Sequence, residues 1–200
     1  MSKISITHFN DVYRVTPQKI SSTSSETIDV SNFGGLLDSV RAQWETRPDG
    51  KKEGLTLFSG DAFSPSMEGS VTRGRHMTAI LNALDIDVAV AGNHDFDYGY
   101  THFRKLTKDS AFPWLMSNII DENTGRVPVP LQELQVMERR GVRIGLIGLV
   151  EKQWTDTLPS WPTNFQYEDM AQVAIRLSQR LRDPNGEYKC DIILALTHCR

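Results

Sequence analysis

The sequence lacks the features that mark several large classes of protein. It has only 2 cysteines in 200 residues, Cys190 and Cys199, and they flank a predicted strand that holds them too far apart for an easy disulfide. No apolar run approaches the roughly 18 residues that span a bilayer, and the N-terminus has no apolar secretory segment. The net charge of −3 gives no broad attraction to nucleic acid or anionic membranes. We therefore expect a cytoplasmic protein with reduced thiols, no nucleic acid polymer as partner and no membrane.

The apolar residues fall into short continuous runs, which are typical of strands covered on both faces. Helical spacing of three and four residues begins at Phe33, Met77 and Met170. This alternation predicts an α/β fold with a mainly parallel or mixed sheet, built as a single domain over residues 1–200. The segment Gln18–Thr27 is rich in Ser and Thr and predicts a mobile loop. The predicted strands are Ile4–Phe9, Leu55–Ser59, Val88–Ala91, Trp114–Ser117, Val142–Val150 and Ile192–Thr197.

Polar side chains collect just after four of these strands. In open α/β sheets the carboxyl ends of the strands are where ligands bind, so carboxylates, an amide and imidazoles should meet at one edge. Such donors suit divalent cations such as Mn²⁺, Fe²⁺, Zn²⁺ or Mg²⁺. A lone Asp after a strand is more often a helix cap, and the combination of all four segments is what favours a metal site. The segments are Asn10–Tyr13, Gly60–Asp61, Gly92–Asp97 and Thr197–His198.

At these residues the sequence resembles the calcineurin-like metallophosphoesterases and, within them, the 5′-nucleotidase group. The resemblance implies a four-layer α/β/β/α sandwich that carries two divalent metal ions, which could be Mn, Zn, Fe, Mg or Co. By position, Asp11 would hold the first metal, Asp61 would bridge both, and Asn93 and His198 would hold the second. The segments that carry it are His8–Tyr13, Ser59–Phe63, Ala91–Gly99 and Leu196–His198.

The resemblance also implies a catalytic pair. His94 would be no ligand and would sit over the phosphoryl group, oriented by Asp97 three residues on. Asp95 would support the site from behind. The hypothesis is that a hydroxide bridging the two ions attacks phosphorus while His94 stabilises the developing charge and protonates the leaving group.

The substrate follows from the resemblance only as a class. A small phosphoester is expected, in the first place a nucleotide, as in a 5′-nucleotidase or a 2′,3′-cyclic nucleotide phosphodiesterase. One alternative is a broad phosphomonoesterase or phosphodiesterase that acts on another small substrate. Another is a non-catalytic relative with an incomplete metal site.

The sequence departs from the family pattern at two points. Tyr13 stands where the pattern has histidine, and neutral tyrosine is a poor ligand. The first metal position could therefore be weaker, take a metal that tolerates oxygen, or keep a water in that place. The family also supplies further ligands after the position of His198 and a second, nucleotide-binding domain. We expect both in a C-terminal continuation of the same protein, and we expect residues 1–200 to be an incomplete catalytic domain.

Overall fold

The computed structural model describes residues 3–199, and strands and helices alternate along most of that range. Its strands are β1 (Ile6–Phe9), β2 (Gln18–Lys19), β3 (Thr27–Ile28), β4 (Leu55–Phe58), β5 (Val88–Val90), β6 (Trp114–Leu115), β7 (Ile119–Asp121), β8 (Leu134–Arg139), β9 (Val142–Val150), β10 (Phe165–Tyr167) and β11 (Ile192–His198). Its α-helices are α1 (Val30–Ala42), α2 (Met67–Thr72), α3 (Arg75–Ala83), α4 (Tyr100–Lys108), α5 (Lys152–Thr157) and α6 (Met170–Arg182).

The first sheet has the strand order β1-β4-β5-β6, and every pairing in it is parallel. Strands β4 and β5 are buried along their whole length, as their continuous apolar sequences predict. Helices α1, α3 and α4 pack on this sheet through Leu37, Met77, Leu81 and Phe103, which belong to one core cluster with the strands. Since all four strands run the same way, their carboxyl ends lie along one edge.

The second sheet has the order β11-β9-β8, in which β11 is parallel to β9 and β8 is antiparallel. Ile144 and Leu146 of β9 face the core shared with the first sheet, whereas Ile147 and Leu149 face helix α6. A Cβ on Gly148 would lie 2.6 Å from the Cβ of Leu115 in the first sheet, so the two sheets approach closely there. The layers are therefore helix, sheet, sheet and helix, which confirms the predicted α/β/β/α arrangement.

Parts of the sequence-based prediction were wrong or incomplete. The segment Gln18–Thr27 was predicted as a loop, yet β2 and β3 pair antiparallel and close a hairpin in which the Ile20 amide donates to the Glu26 carbonyl at 3.1 Å. The residues of both strands are exposed, so no apolar alternation signals them. Strand β8 was also missed, because Arg139 is its only fully buried residue and the strand carries no continuous apolar run.

The expectations about cysteine and membranes can be compared with the structure directly. Cys190 is buried, Cys199 is exposed, and both are free thiols, as predicted. Within residues 3–199 no helix combines the length and the apolar character needed to cross a bilayer.

Candidate metal centre

The carboxyl ends of β1, β4, β5 and β11 enclose a cleft of about 270 Å³. The structure therefore brings together, at one edge, side chains that lie up to 187 residues apart in sequence, from Asp11 to His198. The predicted site residues Asp11, Asp61, Asn93, His94 and His198 all line it, and Asp97 contacts His94 from the side. The full lining is Asn10, Asp11, Tyr13, Asp61, Asn93, His94, Thr197, His198 and Cys199.

The strand ends reach this cleft through tight turns. Asp11 and Asp61 both have left-handed backbone angles, with φ of 56° and 66°, which are uncommon for non-glycine residues although Asp adopts them more readily than most. The Asp11 amide donates to the Gly60 carbonyl at 3.0 Å and ties the first turn to the second. A Cβ on Gly60 would lie 2.5 Å from the backbone nitrogen of Gly92, so the second and third turns can meet only if this residue is glycine.

The carboxylate of Asp95 joins two of these turns from behind the cleft. Its Oδ2 accepts from the amides of Asp61 at 3.0 Å and Gly92 at 2.9 Å, and its Oδ1 accepts from those of Ala62 at 2.8 Å and Phe63 at 3.3 Å. Burial and then the charge of Asp61 raise the pKa of Asp95 to about 6, although these amide hydrogen bonds act to lower it. Asp95 does not line the cleft, so its placement is that of a support.

Three side-chain atoms that could bind a metal meet between β4, β5 and β11, and they belong to Asp61, Asn93 and His198. The Nδ1 of His198 donates to the Ser59 carbonyl at 2.6 Å, and its Nε2 lies 3.1 Å from Oδ1 of Asn93 and 3.2 Å from Oδ2 of Asp61. Burial of the ring lowers the pKa of His198, but the hydrogen bond to Asp61 and its charge, the Ser59 carbonyl and the charge of Asp95 together raise it to about 9.

The spacing of these three atoms fits a divalent cation. Two ligands at right angles on a cation, with bonds of about 2.1–2.2 Å, lie about 3.0–3.1 Å apart. That separation is close to the 3.1 Å and 3.2 Å measured from Nε2 of His198. In the described part of the chain no three His, Cys, Asp or Glu side chains converge as a metal would require. The third donor here is instead the amide oxygen of Asn93.

The carboxylate of Asp11 contacts hydrogen-bond donors rather than other possible metal ligands. The Asn10 amide group and the Tyr13 hydroxyl both donate short hydrogen bonds to its carboxylate. The same hydroxyl lies 3.3 Å from Oδ2 of Asp61. Burial, reinforced by the two carboxylates, raises the pKa of Tyr13 far above its usual range, so Tyr13 stays a neutral phenol.

His94 and Asp97 form the pair that the sequence predicts. His94 begins a 3₁₀ turn at His94–Phe96 and Asp97 follows it, and Nδ1 of His94 lies 2.8 Å from Oδ2 of Asp97. The backbone amide of His94 donates to Oδ1 of Asp61 at 2.8 Å, which fixes the turn against the cleft. The His94 side chain is 37% exposed, so its ring remains open to a ligand.

Two groups that position His198 were not predicted. The Ser59 carbonyl orients the ring, and the indole of Trp154 donates to the His198 carbonyl at 3.2 Å. A backbone carbonyl has no signature in sequence. Trp154 is buried beside Phe96 and Trp161, so it also packs in the core.

A second cavity of about 290 Å³ lies at the opposite edge of the first sheet. Its two buried arginines are engaged in internal contacts. Arg139 contacts Asp87 at 2.7 Å, and Arg41 bonds to the Thr56 hydroxyl and the Asp85 carbonyl. These bonds tie loops to strands, so this cavity is a structural feature of the fold.

Comparison with known proteins supports the reading of the cleft. No family model matches the chain. The chain is 25% identical over 184 residues to a probable 5′-nucleotidase from Treponema pallidum (strain Nichols), covering 89% of this chain and 31% of that protein. It superposes on the 5′-nucleotidase precursor from Thermus thermophilus with a TM-score of 0.81 at 20% identity, covering 98% of this chain and 37% of the other.

The chain also superposes on the calcineurin-like phosphoesterase YfkN from Bacillus subtilis, with a TM-score of 0.74 at 20% identity, covering 98% of this chain and 61% of the other. It spans between 19% and 34% of the length of the curated relatives it matches. These likenesses confirm the resemblance read from the sequence: the chain is a relative of the 5′-nucleotidases and has the calcineurin-like phosphoesterase fold.

Proposed function

We propose that this chain carries the catalytic centre of a metal-dependent phosphoester hydrolase that acts on nucleotides. The observation that supports it most directly is the convergence of Asp61, Asn93 and His198 beside the His94–Asp97 pair in one open cleft. The curated relatives include proteins named 5′-nucleotidase and 2′,3′-cyclic-nucleotide 2′-phosphodiesterase/3′-nucleotidase, which favours a nucleotide as substrate.

The charge of the cleft explains why metal ions are needed. A phosphate ester is an anion, and it would face the carboxylates of Asp11 and Asp61. Bound divalent cations would offset that repulsion, polarise the phosphoryl oxygens and lower the pKa of an attacking water. Asp61, Asn93 and His198 would hold one ion, and the identity of the metal stays open.

The chain's own residues would supply positioning and a proton. The carboxylate of Asp97 accepts from Nδ1 of His94 and orients the ring. In its imidazolium form His94 would carry a second proton on Nε2 and could give that proton to the leaving oxygen. The amide of Asn93 lines the cleft and can donate to a phosphoryl oxygen.

Two substitutions separate these roles. His94→Ala should lower kcat by about 100-fold or more while metal content stays at the wild-type level, because His94 transfers a proton and binds no metal. His102→Ala is the matched control, since His102 lies on α4, outside the cleft, and bonds to the Arg73 carbonyl. Asp61→Asn should instead lose metal. Unchanged turnover in His94→Ala would remove this residue from the mechanism.

The alternative of a non-catalytic relative is favoured by one residue, Tyr13, which gives Asp11 a hydrogen-bond donor where the family has an imidazole. Metal analysis together with p-nitrophenyl phosphate hydrolysis distinguishes the two. A metal-free and inert protein would support the non-catalytic alternative, whereas bound metal and turnover would support the enzyme. For an active protein, a nucleotide panel would then separate a nucleotidase from a broad phosphoesterase. The cytoplasmic location and the C-terminal continuation stay predictions.

A further inference from the structure

Asp61 has its two carboxylate oxygens in different surroundings. Its Oδ1 accepts the backbone amide of His94 at 2.8 Å. Its Oδ2 lies 3.2 Å from Nε2 of His198 on one side and 3.3 Å from the Tyr13 hydroxyl on the other. An ion placed between Asp61 and His198 would contact Oδ2, and on the other side of Oδ2 lies the Tyr13 hydroxyl.

The two sides of Oδ2 differ in chemistry. The His198 side offers lone pairs, from the imidazole in its neutral form and from the amide oxygen of Asn93. The Tyr13 side offers a hydroxyl that donates to Asp11 and approaches Asp61. A neutral phenol donates readily to carboxylates and is a poor ligand, so it satisfies the negative charges by hydrogen bonding.

The position of the Tyr13 hydroxyl is set by its surroundings. The ring is half-buried and packs edge-to-face on His94, with centroids 6.0 Å apart. Asp11 is held on its other oxygen by Asn10. The carboxylates of Asp11 and Asp61 are thus bridged by a hydroxyl at the point where the first cation of a pair would lie.

We propose that Tyr13 closes the first of the two metal positions, so that this chain binds a single divalent cation through Asp61, Asn93 and His198. This inference rests on the proposed function, because it takes the His198 side of the cleft to be a metal site. The hydroxyl of Tyr13 would then connect the carboxylates of Asp11 and Asp61 without a second ion. It makes Tyr13 a residue that determines metal stoichiometry.

The test is metal content and electron paramagnetic resonance of the full-length protein after Mn²⁺ loading and gel filtration. The wild type should hold about one Mn²⁺ per chain, with the spectrum of an isolated ion. Tyr13→His replaces the donor by an imidazole and should bring the content to about two, with the exchange-coupled spectrum of ions about 3.5–4 Å apart. Tyr188→His, at a partly buried position beside Arg180 and outside the cleft, controls for uptake by an added histidine, and its metal content should remain at the wild-type value.

Tyr13→Phe separates loss of the hydroxyl from gain of a ligand. It should also admit a second ion, with an affinity at least about tenfold weaker than in Tyr13→His. If Tyr13→His does not fold, Tyr13→Phe provides the test. A Mn²⁺ content of Tyr13→Phe equal to that of the wild type would overturn the inference.

The remaining outcomes distinguish failure of the single-cation inference from failure of the proposed function. A wild type that hydrolyses nucleotides and holds two coupled ions would overturn the closed position while leaving the proposed function intact. A Tyr13→His variant that folds and keeps one ion would overturn it as well. A wild type that binds no Mn²⁺ at all would overturn the proposed function and this inference with it.

Discussion

The carboxylate of Asp95 holds two strand ends together through four backbone N–H groups, and Asp95→Asn perturbs that connection with almost no change in volume. Oδ1 accepts from Ala62 and Phe63, and Oδ2 accepts from Asp61 and Gly92. An asparagine keeps one oxygen, so two of the four amides would face an NH₂ group whichever way the side chain is oriented. Both of those amides are in the buried interior of the site.

The size of the effect follows from these bonds. A buried donor left without a partner costs about 1–3 kcal/mol, which gives about 2–6 kcal/mol for two. Removing the charge also relieves the repulsion by Asp61 that raises the pKa of Asp95. We therefore expect a loss of stability in the lower half of that range, about 2–4 kcal/mol. In a domain of this size 1 kcal/mol shifts Tm by about 2–4 °C, so Tm should fall by roughly 5–15 °C.

The assay is thermal and urea unfolding of the metal-free protein at pH 8, where the carboxylate of Asp95 is ionised. Asp97→Asn is the matched control, because it removes the same charge two residues further along the chain, and the Asp97 side chain is 28% exposed. It should cost less than about 1 kcal/mol. Metal affinity should also fall in Asp95→Asn, because Asp61 moves with its turn. Stability within about 0.5 kcal/mol of the wild type would refute the assigned role of these four bonds.

Two further predictions concern pH and packing. Only the neutral imidazole of His198 binds a cation, and its pKa is about 9. The Mn²⁺ affinity measured by calorimetry should therefore rise roughly tenfold per pH unit between pH 6 and 8, with release of a proton. An affinity that does not depend on pH would contradict this. The stability of the metal-free protein should instead fall as pH rises, because the stability contributed by the charged His198 ring is complete below pH 6.5 and is lost as pH rises through about 9. Gly148→Ala should destabilise the fold by about 2–3 kcal/mol in urea unfolding, because its Cβ would lie 2.6 Å from the Cβ and 3.0 Å from the backbone carbon of Leu115. Gly145→Ala, whose Cβ would meet mainly the movable tip of Leu181 at 2.9 Å, should cost less than about 1 kcal/mol, and equal costs would contradict the close approach of the sheets.

Much of the site could be predicted from the sequence because it is local. His94 and Asp97 are three residues apart on a single turn, so their pairing needs only that turn to form. Asp61 follows the buried strand β4 and Asp11 follows the partly exposed strand β1, and parallel strands deliver such residues to one edge. The continuous runs in β4, β5 and β9 identified the sheets for the same reason, since burial on both faces leaves a signal in composition.

The tertiary structure alone decided the features that depend on distant groups. The free nitrogen of His198 is Nε2 because Nδ1 bonds to the Ser59 carbonyl, 139 residues away in sequence. The Tyr13 hydroxyl lies between Asp11 and Asp61 because those two carboxylates approach it from different strands. Residue types and spacing define which donors are available, but hydrogen-bond geometry over a few tenths of an ångström selects the partner of each, and that geometry exists only once the strands are packed.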